Sequence, residues 1–157
     1  MLDIPQLSHL LTGRVCVLGV GNRDRGDDAC GSIMAEHLAD AMGSWAIDAG
    51  SVPENHLEKA VRLEPDTILI IDAVDFGGTP GEARLLDADV ITTGGLSTHA
   101  LSLGMATEYF MARTNARLAF LAIQPASLKH GEALSTEIFL TVSALQEVLT
   151  SFFMQRQ

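Results

Sequence analysis

The fold is indicated first by a continuous apolar run that ends in glycines: Arg14-Val15-Cys16-Val17-Leu18-Gly19-Val20-Gly21. An apolar stretch without polar alternation is typical of a parallel strand that is buried on both faces. Residues 29–42 then carry the apolar period of a helix, with Met34 and Leu38 on one stripe. The segment therefore predicts the strand-turn-helix unit that opens an α/β domain.

The same alternation of strand and helix patterns continues along the chain. Further strands are predicted at 45–48, 67–72, 82–86 and 117–123, and further helices at 51–63, 99–113 and 135–153. The strand at 82–86 follows a connection too short for a crossover helix, so it is expected to be antiparallel. These patterns predict one three-layer α/β domain over residues 1–157. Its twisted five-stranded sheet is mostly parallel with an antiparallel edge strand, and helices cover both faces.

Composition narrows the classes of partner. The 157 residues are 47% apolar and 19% charged, with a formal net charge of −10. Such an acidic chain lacks the basic footprint that nucleic-acid binding requires. The apolar runs are shorter than a membrane span, and the first residues lack the features of a signal peptide. Cys16 and Cys30 form no CxxC motif and are expected to be reduced and buried. We therefore predict a cytoplasmic protein without nucleic-acid binding or membrane insertion.

Three potential metal ligands fall where strands are expected to end or helices to begin. Asp28 follows the glycine turn, Asp72 ends an apolar strand, and His99 begins a helical pattern. Because the carboxyl ends of parallel strands meet at one edge of a sheet, these side chains are expected to converge there. Two carboxylates and an imidazole suit a divalent transition metal. Taken singly, each residue has a simpler explanation. An aspartate can cap a helix, and a histidine at the start of a helix can lack a functional role.

The glycine turn also allows an alternative. A strand followed by Gly19 and Gly21 suits dinucleotide binding, and Asp48 lies near the position of a ribose-binding acid. However, Asp24 stands where the third glycine of that fingerprint is expected, and the aspartates of the loop oppose a pyrophosphate. A serine or cysteine protease has little support. Cys30 belongs to a helix stripe, and Ser97 has only His99 as an obvious base.

Five short blocks in register resemble one known family. They are Gly19-Val20-Gly21-Asn22 with Asp27-Asp28-Ala29-Cys30-Gly31, then Asp48-Ala49-Gly50-Ser51, Asp72-Ala73 with Pro80-Gly81-Glu82-Ala83-Arg84, Thr98-His99 with Leu101, and Gln124-Pro125. Together they resemble the endopeptidases that mature nickel-iron hydrogenases. The closest likeness is to the branch that serves formate-hydrogenlyase and related membrane-bound hydrogenases. The resemblance extends over about residues 14–153.

The resemblance implies an activity and a site. It implies an endopeptidase that removes a C-terminal extension from the nickel-loaded precursor of a hydrogenase large subunit. The family's metal ligands, which are also its catalytic residues, fall on Asp28, Asp72 and His99; the first is often glutamate in the family. Nickel is expected to arrive within the precursor, and zinc or cadmium to substitute for it. A dinucleotide or small-ligand binding module and a non-catalytic assembly chaperone remain as alternatives.

Overall fold

The computed structural model describes residues 2–86 and 98–156. In chain order the elements are α1 (Ile4–Leu10), β1 (Val15–Val20), a 3-10 turn (Gly26–Ala29), α2 (Cys30–Met42), a 3-10 turn (Gly43–Trp45), β2 (Ala46–Gly50), a 3-10 turn (Pro53–His56), α3 (Leu57–Arg62), β3 (Thr67–Ala73), β4 (Ala83–Leu86), α4 (Ala100–Arg113), β5 (Arg117–Ile123) and α5 (Thr136–Met154).

The strands form one five-stranded sheet in the order β2-β1-β3-β5-β4. All pairs are parallel except β4 with β5, where Ala83 lies opposite Ile123. From β1 the chain moves outward to β2 and then returns to β3 on the other side of β1. This reversal creates a crevice at the carboxyl ends of β1 and β3, which is where open α/β sheets bind ligands. The predicted mixed sheet with one antiparallel edge strand is confirmed.

Side chains of the central strands alternate between two cores. In β3, Leu69 and Ile71 pack with residues of α1, α2 and α5. Ile68 and Ile70 pack on the opposite face with residues of α3 and α4. The two cores confirm the predicted three layers. Because strand side chains alternate with a period of two, Asp72 extends the row of Ile68 and Ile70 on the face of α3 and α4.

Close packing of α2 on the sheet depends on Gly31. A Cβ atom at this position would lie 2.2 Å from the carbonyl oxygen of Ile71 and 2.3 Å from that of Val20. The helix therefore approaches β1 and β3 more closely than any side chain would allow. In the dinucleotide-binding fingerprint, the third glycine makes this close helix–strand contact. In this chain that position is Asp24, and Gly31 makes the contact instead.

Apart from shifts of one or two residues at the ends of elements, two local predictions differ from the structure. Helix α1 was not predicted, although Asp3 and Gln6 form a reciprocal capping box at its start. The helix predicted over 51–63 is a 3-10 turn followed by the short α3, and Ser51 does not cap it. Its first turn instead begins at Pro53, whose side chain is buried.

Helix α5 is the only helix, within residues 2–86 and 98–156, long and apolar enough to cross a bilayer. It spans 19 residues, and its most apolar window has a mean hydropathy of 1.3. A core helix of a folded domain meets the same criteria, and seven residues of α5 are buried in the fold. The absence of membrane insertion stays a prediction.

Candidate metal centre

Asp72 provides the first carboxylate, near the end of β3. Every residue of this strand is buried, and Asp72 itself is only 2% exposed. Its Oδ1 accepts a hydrogen bond of 2.9 Å from the backbone N–H of Ala73. A carboxylate buried at this depth is costly without partners, so its remaining lone pairs must face polar or charged groups.

Asp28 provides the second carboxylate from the 3-10 turn between β1 and α2. It is 1% exposed, and both of its oxygens accept hydrogen bonds. The hydroxyl of Thr98 donates to Oδ1 over 2.9 Å, and the backbone N–H of Asn22 donates to Oδ2 over 3.3 Å. The side chain is therefore oriented by a residue from each side of the crevice.

The neighbouring Asp27 anchors this turn. Its buried carboxylate accepts hydrogen bonds from the backbone N–H groups of Ala126, Ser127 and Ser135 and from the hydroxyl of Ser135. Neither Asp27 nor Asp28 caps α2, whose first residue has no side-chain cap. The capping explanation for the paired aspartates is therefore wrong: one joins the turn to the loop before α5, and the other faces the crevice.

His99 lies between the two carboxylates at the start of α4. Its Nδ1 is 3.3 Å from Asp72 Oδ2, and its Nε2 is 3.6 Å from Asp28 Oδ2. Burial alone lowers the pKa of His99, but the hydrogen bond to Asp72 and the charges of Asp72 and Asp28 outweigh burial and raise it above its usual value. The two aspartates therefore favour a positive charge at this point, whether a proton or a metal ion carries it.

The structure brings the three predicted residues together. One ligand atom from each of Asp28, Asp72 and His99 lies within 4.8 Å of the other two, and all three side chains are buried. Carboxylate oxygen and imidazole nitrogen form a donor set that suits nickel or zinc. Three protein ligands would leave coordination positions open, as catalytic metal sites do. The residues present therefore fit a divalent transition metal.

Cys30 and Ser97 are possible nucleophiles near the candidate ligands in the sequence. Cys30 is fully buried, and this burial together with the negative charges of Asp72 and Asp28 raises the pKa of its thiol well above its usual value. The thiol is therefore protonated at neutral pH and a poor nucleophile. Ser97 lies outside the described residues.

Thr98 and Asp27 belong to blocks that resemble the family, but their roles beside the candidate ligands were not predicted from the sequence. Both contacts join positions far apart in the chain, with Thr98 bonded to Asp28 across 70 positions. Each residue is next to a candidate ligand in the sequence, and such proximity does not predict a hydrogen-bond partner.

A polar cavity of about 340 Å³ adjoins the centre at the ends of β1 and β2. Arg23 lies in its wall and is held by Ser32, Asp48 and Glu36. Asn22 lines the same cavity and donates its backbone N–H to Asp28. Asn22 is therefore a point of contact between the cavity and the surroundings of Asp28.

Comparison with known proteins identifies the family. The hydrogenase maturation protease family HycI matches residues 31–151, which include Asp72 and His99 and begin after Asp28. The Hydrogenase 3 maturation protease of Escherichia coli K12 is 39% identical over 112 residues, covering 69% of this chain and 71% of that protein. The chain belongs to the hydrogenase maturation protease family.

Solved structures agree with this assignment to the maturation proteases. The [NiFe] hydrogenase maturation protease HycI from Thermococcus kodakarensis KOD1 matches with a TM-score of 0.83 and 29% identity, over 94% of this chain and 97% of that chain. The endopeptidase HycI from Escherichia coli matches with a TM-score of 0.77 and 31% identity, over 89% and 91%. The protein is thus a maturation protease with the fold of these endopeptidases, and the predicted peptidase class is confirmed.

Proposed function

We propose that this protease removes the C-terminal extension from the nickel-loaded precursor of a [NiFe] hydrogenase large subunit, and that Asp28, Asp72 and His99 recognise the nickel. The observation that carries the proposal is the convergence of these three side chains within 4.8 Å. Membership of the maturation protease family supports the reaction class. The likeness to the [NiFe] hydrogenase maturation protease of Thermococcus kodakarensis supports the type of substrate.

The chain's own residues prepare the centre for a metal carried by the substrate. Thr98 and Asn22 hold the carboxylate of Asp28, and Ala73 holds that of Asp72. Because the three ligands are buried, little of the electrostatic attraction for a cation is lost to solvent screening. When bound, the metal would polarise the scissile carbonyl or lower the pKa of a bound water. Recognition by the metal would restrict cleavage to precursors that already carry nickel.

The adjoining polar cavity offers a place for the precursor's chain. Asn22 belongs both to its wall and to the surroundings of Asp28. A polypeptide that presents its metal to the centre could therefore continue into the cavity.

We further propose that the protease acts in the cytoplasm, and that zinc or cadmium can occupy the centre in place of nickel.

Thermal unfolding with added metal ions tests recognition by the centre. The protein is compared with Asp28→Asn, Asp72→Asn and His99→Gln, which approximately keep side-chain size and replace the carboxylate or the imidazole by an uncharged amide, a weaker ligand. Asp75→Asn is the matched control, because Asp75 is an exposed carboxylate near the end of β3 that bonds to Gln124 and Gly77. Each protein is unfolded with Ni²⁺, Zn²⁺, Cd²⁺, Mg²⁺ or NADH.

A metal at about 100 times its dissociation constant stabilises the fold by about 2.7 kcal/mol. For a domain of this size, this corresponds to a rise in Tm of about 5–11 °C. We expect that rise with Ni²⁺, Zn²⁺ or Cd²⁺ in the wild type and in Asp75→Asn, and its loss in the three ligand variants. An equal rise in the ligand variants would contradict the proposed centre. A rise with NADH alone would favour a dinucleotide-binding protein instead.

A further inference from the structure

Thr98 lies beside the centre without being one of its ligands. Its side chain is exposed, yet its Oγ1 is 2.9 Å from Asp28 Oδ1 and 3.2 Å from His99 Nδ1. One hydroxyl thus touches a carboxylate of one candidate ligand and the ring of another. The backbone N–H of Asn22 bonds the second oxygen of Asp28, so the carboxylate is held at both ends.

The number of hydrogens available decides the direction of these bonds. A threonine hydroxyl has one hydrogen, and an ionised carboxylate can only accept. If the hydrogen of Thr98 points to Asp28, the hydroxyl oxygen can only accept toward His99. Nδ1 of His99 must then carry a hydrogen, and Asp72 Oδ2, at 3.3 Å, is a second acceptor for it. The remaining ring nitrogen, Nε2, faces Asp28 Oδ2 at 3.6 Å.

We propose that Thr98 is a positioning residue of the centre: its hydroxyl orients the Asp28 carboxylate and keeps the hydrogen of the neutral His99 ring on Nδ1, so that Nε2 is the nitrogen that would bind a metal. The inference rests on the proposed function of the centre and adds a residue to it. Residues that orient metal ligands in this way commonly change metal affinity by about 10–100-fold when the hydrogen bond is removed.

Three substitutions separate this role from a general structural one. Thr98→Val keeps the shape of the side chain and removes the hydroxyl, whereas Thr98→Ser keeps the hydroxyl. Thr107→Val is the matched control, because Thr107 lies on α4 and its hydroxyl donates to the carbonyl of Leu103 within the same helix. Calorimetric titration with Cd²⁺ is expected to show about 10–100-fold weaker binding by Thr98→Val. Binding by Thr98→Ser and Thr107→Val is expected to resemble that of the wild type.

A second measurement does not depend on metal binding. Nitrogen NMR of the metal-free protein, at a pH where the His99 ring is neutral, should show the hydrogen on Nδ1 in the wild type. We expect this hydrogen to exchange with water faster in Thr98→Val than in the wild type or Thr98→Ser. Should the wild type bind no Cd²⁺, the proposal that cadmium can occupy the centre fails, and the exchange rates alone decide the role of Thr98.

Two results would overturn the role of Thr98. One is a neutral His99 ring with its hydrogen on Nε2 in the wild type. The other is a Thr98→Val protein that matches the wild type in hydrogen exchange and, where the wild type binds Cd²⁺, in affinity.

Discussion

Nδ1 of His99 lies 3.3 Å from Oδ2 of Asp72, although the two residues are 27 positions apart in the chain. Asp72 reaches this point from the end of β3, and His99 reaches it from the start of α4. Asp28 approaches the other ring nitrogen from the turn after β1. A histidine between two buried carboxylates attracts a proton, and binding of a metal at the proposed centre would therefore be linked to loss of that proton.

The first prediction concerns stability without metal. The pKa of His99 is raised above 6.5, so its protonated ring stabilises the folded protein relative to the unfolded chain. This contribution is fully present below about pH 6.5 and is lost as pH rises through the higher pKa of the folded state. In urea unfolding with a chelator, we expect the wild type to lose more stability over this pH window than His99→Gln. Parallel pH profiles for the two proteins would contradict the charge assignment.

The second prediction concerns Gly31. In Gly31→Ala, the added methyl group would lie 2.2 Å from the carbonyl oxygen of Ile71. We expect urea unfolding to show a loss of about 1–3 kcal/mol, the usual cost of overpacking. Gly104→Ala is the control, since nothing lies within 4 Å of a Cβ at that helical position. It should gain up to about 1 kcal/mol from helix propensity. Equal stability of the two variants would show that α2 can move away from the sheet at little cost.

The third prediction concerns Asp27, whose carboxylate joins the turn of Asp28 to the loop before α5. Asp27→Asn would leave part of the set of N–H donors around this buried side chain without an acceptor, at a cost of about 1–3 kcal/mol. The same substitution should weaken Cd²⁺ binding, because the turn that carries Asp28 loses its anchor. Asp24→Asn, which changes an exposed carboxylate of the same loop, should leave unfolding and Cd²⁺ titration unchanged. Unaltered stability of Asp27→Asn would show that the anchor is dispensable.

The fourth prediction concerns the thiols. Burial raises the pKa of Cys16 to about 12 and that of Cys30 well above its usual value. Ellman's reagent is therefore expected to leave both cysteines of the native protein unmodified and to label both after unfolding in guanidinium. Labelling of Cys30 in the folded protein, with loss of peptidase activity, would support a cysteine nucleophile instead.

Much of the fold could be predicted because local sequence patterns indicate most of its strands and helices. The run Arg117–Ile123 is a strand with the bounds that its apolar pattern indicated. Asp72 was recognisable as a site residue because a carboxylate directly after buried positions is costly without a function or a partner. The convergence of Asp72 with Asp28 followed from the rule that parallel strands end at the same edge.

Other features depend on contacts that no local pattern contains. Thr98 meets Asp28 only because α4 and the turn after β1 are brought together by the sheet order. Helix α1 is a different case, since the capping box of Asp3 and Gln6 was visible in the sequence. The helix has only seven residues and buries only Leu7, so its apolar period was too short to be recognised.

The proposed function is tested by measuring the mass of a [NiFe] hydrogenase large-subunit precursor before and after incubation with the protease. The precursor is supplied with and without nickel, to the wild type, to Asp72→Ala and to the control Asp75→Ala. We predict that the wild type and Asp75→Ala shorten only the nickel-loaded precursor, by the mass of its C-terminal extension, and that folded Asp72→Ala leaves it intact. Two results would contradict the proposed function. One is processing by Asp72→Ala at the wild-type rate, and the other is wild-type protein that binds the precursor and leaves the mass of the precursor unchanged.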